Sequence, residues 1–432
     1  MPTKIKHINR TFTKFAIRDS GLYKKKLLAF GERENHFCFL DNNNYDFDSS
    51  VECLVGVGVK RSIVSGINSI KEIDDFISHI NDYIFCHISY DLKNKIENLK
   101  SDHFDPIGVP DYFFFQPQIV FRLNKEEVEI GMLNGQDANN IFEAINSISI
   151  PSGFDESVTL RARFSKKEYI LTVNSLLEHI KLGDCYEVCF CQEFFAENFT
   201  INPIRVYGKL TSFSPMPFAA FYKFDKNYLL CASPERFLKK IANRIFSQPI
   251  KGTAQRHAHN KLADEKERES LKNSAKEQSE NIMIVDLVRN DLSKISCEGS
   301  VHVSEYLNVY SFPQVHQLIS TIEGTLRTDV SFSEIIKATF PMGSMTGAPK
   351  KKSMELIEKY ERSKRGLYSG SVGYISPEKN FDLNVVIRSL IYNSETGYLS
   401  IHAGSAITHL SKAENEFEEC MVKMQAMVSA IS

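Results

Sequence analysis

Ser247-Gln-Pro-Ile-Lys-Gly-Thr253 and, after a charged link, Ser274-Ala-Lys-Glu-Gln-Ser-Glu-Asn-Ile-Met-Ile-Val-Asp-Leu-Val-Arg-Asn-Asp291 are the stretches from which the rest of the chain is read. Ile245 and Phe246 favour a strand, Pro249 interrupts its hydrogen-bond ladder, and Gly252 admits backbone angles closed to other residues. Lys251, between Ile250 and Gly252, is therefore held at a fixed place. In the second stretch Ile284, Leu287, Val288 and Leu292 recur at helical spacing, and Glu280 lies one turn before Ile284 on the same side. A carboxylate on an inward stripe needs a partner, and a metal ion is one option. Each part alone also fits a solvated strand end or a solvated helix flank.

Working outward, the same pattern of motifs continues. It runs through Phe340-Pro-Met-Gly-Ser-Met-Thr-Gly-Ala-Pro-Lys350, Gly370-Ser-Val-Gly-Tyr374, Val386-Ile-Arg-Ser389 and Ala403-Gly404. Together with Pro249-Ile-Lys-Gly-Thr253 and Glu280–Asp291, these motifs resemble the signature of the chorismate-using enzymes, densely over residues 160–430 and loosely before that. Within the family the lysine version is similar to component I of aminodeoxychorismate synthase, whereas anthranilate synthases carry alanine at the position of Lys251. The chain is accordingly divided into an N-terminal region, 1–150, packing on the core, and a chorismate-binding catalytic region, 160–430. The Pro/Ser/Gly cluster Ile150-Pro-Ser-Gly-Phe154 is the boundary candidate.

The composition agrees with a large globular chain of 432 residues, 42% hydrophobic and 25% charged. A net charge of −2 gives no general drive toward nucleic acid or anionic membranes. No apolar run approaches a membrane span, and the N-terminal residues lack the apolar core of a secretory signal. Nine cysteines without a compact pairing pattern fit a reducing, cytoplasmic setting. Cys185-Tyr-Glu-Val-Cys-Phe-Cys191 reads as a strand with all three cysteines and Glu187 on one face. They are read as packing residues, because no paired CxxC or nearby histidine completes a zinc set. Gly56 and Gly58 begin a dinucleotide-like pattern that Arg61 breaks.

Local signals place the other elements. Lys26–Phe30 and Phe37–Leu40 read as strands, and Ile70, Ile73, Ile77 and Ile80 as an amphipathic helix. Ser165-Lys-Lys-Glu168 fits a capping box opening a helix to about Leu182. A helix beginning at Ala348-Pro-Lys350 is expected to close at Gly366, and Ser411 to cap a last helix. Strands and helices mix without regular βαβ alternation, which predicts an α+β fold with a mainly antiparallel core. The resemblance implies the same: a two-sheet β-sandwich surrounded by helices.

The resemblance also implies roles. Lys251 matches a nucleophile that attacks the chorismate ring at C2 as the C4 hydroxyl leaves, after which ammonia adds at C4. That role needs a neutral amine, so its pKa should be lowered by burial and a nearby cation. Glu235, in Ser233-Pro-Glu-Arg236, matches the general acid that protonates the leaving hydroxyl; an ion pair with Arg236 is the alternative reading. Glu280 and Glu419 match direct Mg²⁺ ligands and Glu416 a ligand through water, although Glu416 and Glu419 alone also fit a solvated acidic helix. Arg388, expected on a strand continuous from Phe381, matches a contact to a substrate carboxylate. Gly252, Thr253, Tyr374 and the Gly404 backbone match other substrate contacts.

Three positions depart from the family pattern. Ala406 replaces a glycine. Gln317 precedes Leu318-Ile-Ser320 where anthranilate synthases carry histidine, with His316 one place earlier. Glu187 stands where amino-group-adding relatives usually carry glutamine and isochorismate-forming ones a lysine base. The implied activity is Mg²⁺-dependent amination of chorismate to 4-amino-4-deoxychorismate, for 4-aminobenzoate and folate synthesis. A glutamine amidotransferase partner would supply the ammonia, since no Gly-x-Cys-x-Gly motif is present. Anthranilate synthase component I, or a non-catalytic subunit binding chorismate or tryptophan, are the rival readings.

Overall fold

The computed structural model describes residues 10–45, 52–66, 69–133, 137–150, 158–257, 259–312 and 315–432; the expected boundary at Ile150–Phe154 runs into residues outside this set. Two antiparallel sheets dominate, one of twelve strands and one of ten. They stack face to face, with helices covering their outer faces. The α+β two-sheet expectation is met.

Strands from the first third of the chain form one flank of each sheet. Arg10–Ala16, Glu127–Leu133, Ile119–Leu123, Cys53–Val57 and His36–Asp41 lead into Phe218–Phe224 in the larger sheet. Ile84–Ile88, Tyr112–Gln116 and Arg61–Val64 lie beyond Ser371–Ile375 in the smaller one. One core lies between the larger sheet and its helices, around Phe190, Phe221, Leu390 and Met424. The other lies between the sheets and under the helix Ala275–Ser293, around Cys189, Tyr222, Leu383 and Ile284.

Helix starts follow their caps. Lys166–Lys181 opens on a complete Ser165/Glu168 capping box, as expected, and Ala275–Ser293 opens on Ser274, whose hydroxyl accepts from the Glu277 N–H. Ile70, Ile73, Ile77 and Ile80 are all buried, around the helix Glu72–Ser78.

Other local expectations are corrected. Lys26–Phe30 is part of the helix Ser20–Gly31, because the Asp19 side chain caps its start and Tyr23, Leu27 and Leu28 bury one side. The helix Lys350–Tyr360 ends six residues before Gly366, with Glu361 as its C-cap, and the last helix, Ala413–Ala430, has Lys412 at its N-cap. Ser411 instead accepts from the Thr408 N–H. The cysteine strand begins at Glu187, so Cys189 and Cys191 face the inter-sheet core while Cys185 packs on the helical side.

Candidate active site

The two sheets meet at their ends. Ile250–Gln255 closes the ten-strand order, and Glu187–Ala196 with Gly347–Ala348 closes the twelve-strand order. Lys251 Nζ donates to Glu187 Oε1 at 2.8 Å across this junction. Beside the pair lies a cavity of about 640 Å³, a size suited to a small metabolite. Glu235, Lys251, Gly252, Thr253, Glu280, Arg388, Gly404 and Glu419 all line it.

Lys251 points inward because its strand bulges. The register against Val315–Thr325 shifts between Ile250 and Thr253, and Gly252 takes φ 85°. The positive φ favours glycine, and a Cβ at Gly252 would also crowd Glu277 Oε2 at 2.9 Å. Burial alone pulls the Lys251 amine toward neutrality, but Glu187 and then Glu280 outweigh it and hold the ammonium form above its ordinary range. This reverses the expected direction. The cause is a carboxylate 64 residues away in sequence.

Glu235 lies in the turn between Asn227–Ser233 and Arg236–Ile241 and accepts from Ser344 Oγ at 2.7 Å. Arg236 turns the other way, to both oxygens of Asp382 at 2.9 and 3.0 Å, so the alternative Glu235–Arg236 ion pair does not form. Burial pushes the Glu235 carboxyl up to about 7, against the opposing Ser344 hydrogen bond and the Lys251 charge. A carboxylic acid that keeps its proton near neutrality is suited to general acid work.

Glu280 comes from the helix Ala275–Ser293, and Glu416 and Glu419 from Ala413–Ala430. Lys276 Nζ lies between the first two, 3.8 Å from Glu280 and 3.5 Å from Glu416. Glu419 accepts from Lys423 at 2.7 Å. Glu280 Oε1 and Glu416 Oε2 are buried without hydrogen-bond partners. Burial raises Glu280 to about 7, with Lys251 opposing. Among the described residues no three acidic, His or Cys side chains converge as a ready-made metal site. The donors nonetheless fit a hard cation: they are all carboxylates, and two buried oxygens still lack a hydrogen bond.

Arg388 does not extend the strand from Phe381. Phe381–Asn384 and Ser389–Asn393 belong to different sheets, and Arg388, with φ 52°, stands at the crossing. Its side chain is half-buried against the cavity, and Nη1 approaches the Lys423 carbonyl at 3.5 Å. Gly404 is dictated by close approach, since a Cβ there would lie 2.0 Å from the Phe190 carbonyl oxygen. Tyr374 is not in this cavity. It lines a second one, of about 630 Å³, with Tyr83, Arg236 and Asp382. His316 is also outside, bonding Ser311 and, at 3.2 Å, Asp264 of the helix Lys261–Asn273. Ala406 lines the Lys251 cavity.

Residues 36–429 match the family described as chorismate binding enzyme. The chain belongs to the chorismate binding enzymes. It is 43% identical over 289 residues, 66% of its length, to a probable chloroplastic aminodeoxychorismate synthase of Oryza sativa subsp. japonica, but spans only 32% of that protein. It is 32% identical over 341 residues to aminodeoxychorismate synthase component 1 of Klebsiella aerogenes, covering 78% of this chain and 75% of that one. The crystal structure of anthranilate synthase component I from Streptococcus pneumoniae TIGR4 shares the fold, with TM-score 0.73, 24% identity and coverage of 99% and 95%.

Several residues of this chorismate binding enzyme's cavity escaped sequence reading. Tyr368, six residues before Tyr374, lines the cavity, and its ring stacks on His402 at 5.1 Å. Two tyrosines in Tyr368-Ser-Gly-Ser-Val-Gly-Tyr374 offered the choice, and a strand's alternation does not say which sheet face meets a cavity. Ser344 was inside a quoted motif, but its bond to Glu235 spans 109 residues. Lys423, one turn after Glu419, was visible as an i,i+4 pair. No helix among the described residues is long and apolar enough to cross a membrane.

Proposed function

We propose that the chain aminates chorismate at C4 to give 4-amino-4-deoxychorismate. The observation that carries this reading is a buried lysine amine, Lys251, lining the same cavity as a carboxylic acid, Glu235, whose proton is retained to about pH 7. In this reading Lys251 Nζ bonds to ring C2 while the C4 hydroxyl departs as water, taking the Glu235 proton. Ammonia then bonds to C4 and Lys251 leaves C2. The Glu235 carboxylate recovers a proton from the new ammonium group. Arg388, lining the cavity at the sheet crossing, receives a substrate carboxylate. Gly404 presents its backbone at the cavity wall, and Thr253 offers a hydroxyl beside Lys251. Glu280, Glu416 and Glu419 would hold Mg²⁺, which supplies positive charge for the ring carboxylate. The ammonia would come from a glutamine amidotransferase partner, in keeping with the component 1 name of the Klebsiella relative.

The test is product identification. The chain with chorismate, Mg²⁺ and ammonium should yield 4-amino-4-deoxychorismate, and glutamine should replace ammonium only when an amidotransferase is added. Anthranilate as the product would overturn the assignment of C4 as the aminated carbon.

A further inference from the structure

We propose that Glu187 is the proton acceptor that frees the Lys251 amine for attack and returns the proton when the amine leaves. The inference rests on the reading of Lys251 as nucleophile and goes beyond it. An ammonium has no lone pair, so a lysine held in that form cannot attack until a base removes a proton. The hydrogen-bonded carboxylate is Glu187 Oε1, 2.8 Å from Nζ. Glu235 is the wrong group, since it accepts from Ser344 and must keep its own proton to give to the leaving hydroxyl.

Glu187 is built to hold this place. Its backbone is paired on both sides, with Ala348 and with Thr408, and its carbonyl accepts from Ser353 Oγ at 2.9 Å. Its side chain is fully enclosed, and Oε2 has no hydrogen-bond partner. Moving the proton turns a buried ion pair into a neutral acid beside a neutral amine. No solvent proton is exchanged.

The sequence balances. The Nζ proton passes to Glu187. The Nζ lone pair forms the C2–N bond, the C1=C2 pair becomes C1=C6, the C5=C6 pair becomes C4=C5, and the C4–O bond breaks. The departing oxygen takes the Glu235 proton and leaves as water. On the return, the ammonia lone pair forms C4–N, the double bonds shift back and the C2–N bond breaks onto Nζ. Nζ then recovers its proton from Glu187, and the C4 ammonium gives one to Glu235. The sum is chorismate plus ammonia to aminated product plus water.

The test is the pH profile of adduct formation on Lys251, followed by rapid quench and peptide mass analysis with chorismate and Mg²⁺ and with ammonia withheld. Glu235, Glu277, Glu280, Glu419 and Cys189 also bear on this cavity and its lysine, as do Lys276 and Lys423 from the flanking helices. All are common to parent and variant, so the ratio of rates isolates Glu187. In Glu187→Gln the amine must lose its proton to solvent. The parent-to-variant ratio should then shrink about tenfold per pH unit, or about a hundredfold from pH 6.5 to 8.5, while the variant's lysine pKa lies above that range. Glu187→Asp keeps a carboxylate and should give a ratio that is constant with pH. It serves as the decisive variant if Glu187→Gln does not fold. A constant ratio for Gln, the parent rate for Gln, or a pH-dependent ratio for Asp would overturn the role of Glu187 alone. Product formation by the parent with no adduct on Lys251 would instead remove the nucleophile, and the proposed function's mechanism with it.

Discussion

Two cavities of nearly equal volume are lined by the sheets, about 640 Å³ beside Lys251 and about 630 Å³ beside Tyr374. Both are rich in charge, but the charges are treated differently. Around Tyr374 they cancel: Arg236 grips both oxygens of Asp382, and Lys24 bonds both Asp41 and Glu52. Around Lys251 they do not. Oxygens of Glu187, Glu280 and Glu416 are buried without hydrogen-bond partners, and Arg388 reaches a carbonyl only at 3.5 Å. Buried polar atoms are usually satisfied, so a cluster of unsatisfied ones marks where the fold tolerates a cost for the sake of chemistry. Size does not distinguish the two cavities; buried carboxylate oxygens without hydrogen bonds do.

The largest expected effect tests whether the unpaired carboxylates serve a cation. Excess chelator should abolish amination and Mg²⁺ should restore it, with Glu280→Gln inactive but folded by circular dichroism. Full turnover in chelator would erase the distinction between the cavities. Next, Lys251→Ala should lose about two to four powers of ten in amination rate, together with the covalent adduct. The parent rate in that variant would make Lys251 a wall residue.

A third prediction concerns stability. The Glu235 carboxyl rises from 4.5 to about 7 on folding, so the folded state binds the extra proton. Its stabilising share is complete below pH 4.5 and is lost as pH rises to about 7. Glu235→Gln keeps an acceptor for Ser344 without a charge to bury. Chemical denaturation should find the two proteins alike near pH 4.5 and the variant ahead by up to about 3 kcal/mol at pH 8. A gap that does not change with pH would contradict the burial argument. The smallest effect is expected at Tyr374→Phe, which should leave amination within about threefold, since a side chain outside the reacting cavity alters rate only through packing. Tyr368→Phe should lower kcat/KM more. The reverse order would exchange the roles of the two cavities.

What could be read from the chain follows the range of the forces involved. Caps act over three residues, so Ser165 with Glu168 announced a helix start correctly. The motif around Glu280 placed that carboxylate on an inward helix face because a helix repeats its own geometry. Arg388 failed as a strand residue because alternation continues unchanged to the point where the chain leaves one sheet for the other. Lys26–Phe30 failed because its apolar run fits a strand unless the Asp19 cap is weighed. The Lys251–Glu187 contact joins two sheet edges, and no local pattern records which edges meet. The sign of the lysine's shift was therefore out of reach, although both residues were singled out.

Arg388 also constrains how this protein can be improved. Its left-handed backbone costs a non-glycine residue roughly 1–2 kcal/mol, a cost glycine would not bear. Selection for heat resistance alone would therefore favour glycine at this crossing, and selection for turnover would refuse it. On the proposed role of Arg388, libraries screened only for survival at high temperature would drift toward well-folded chains that no longer recognise a carboxylate. With Arg388 in its proposed role, position 388 sets stability and activity against each other through a single backbone angle.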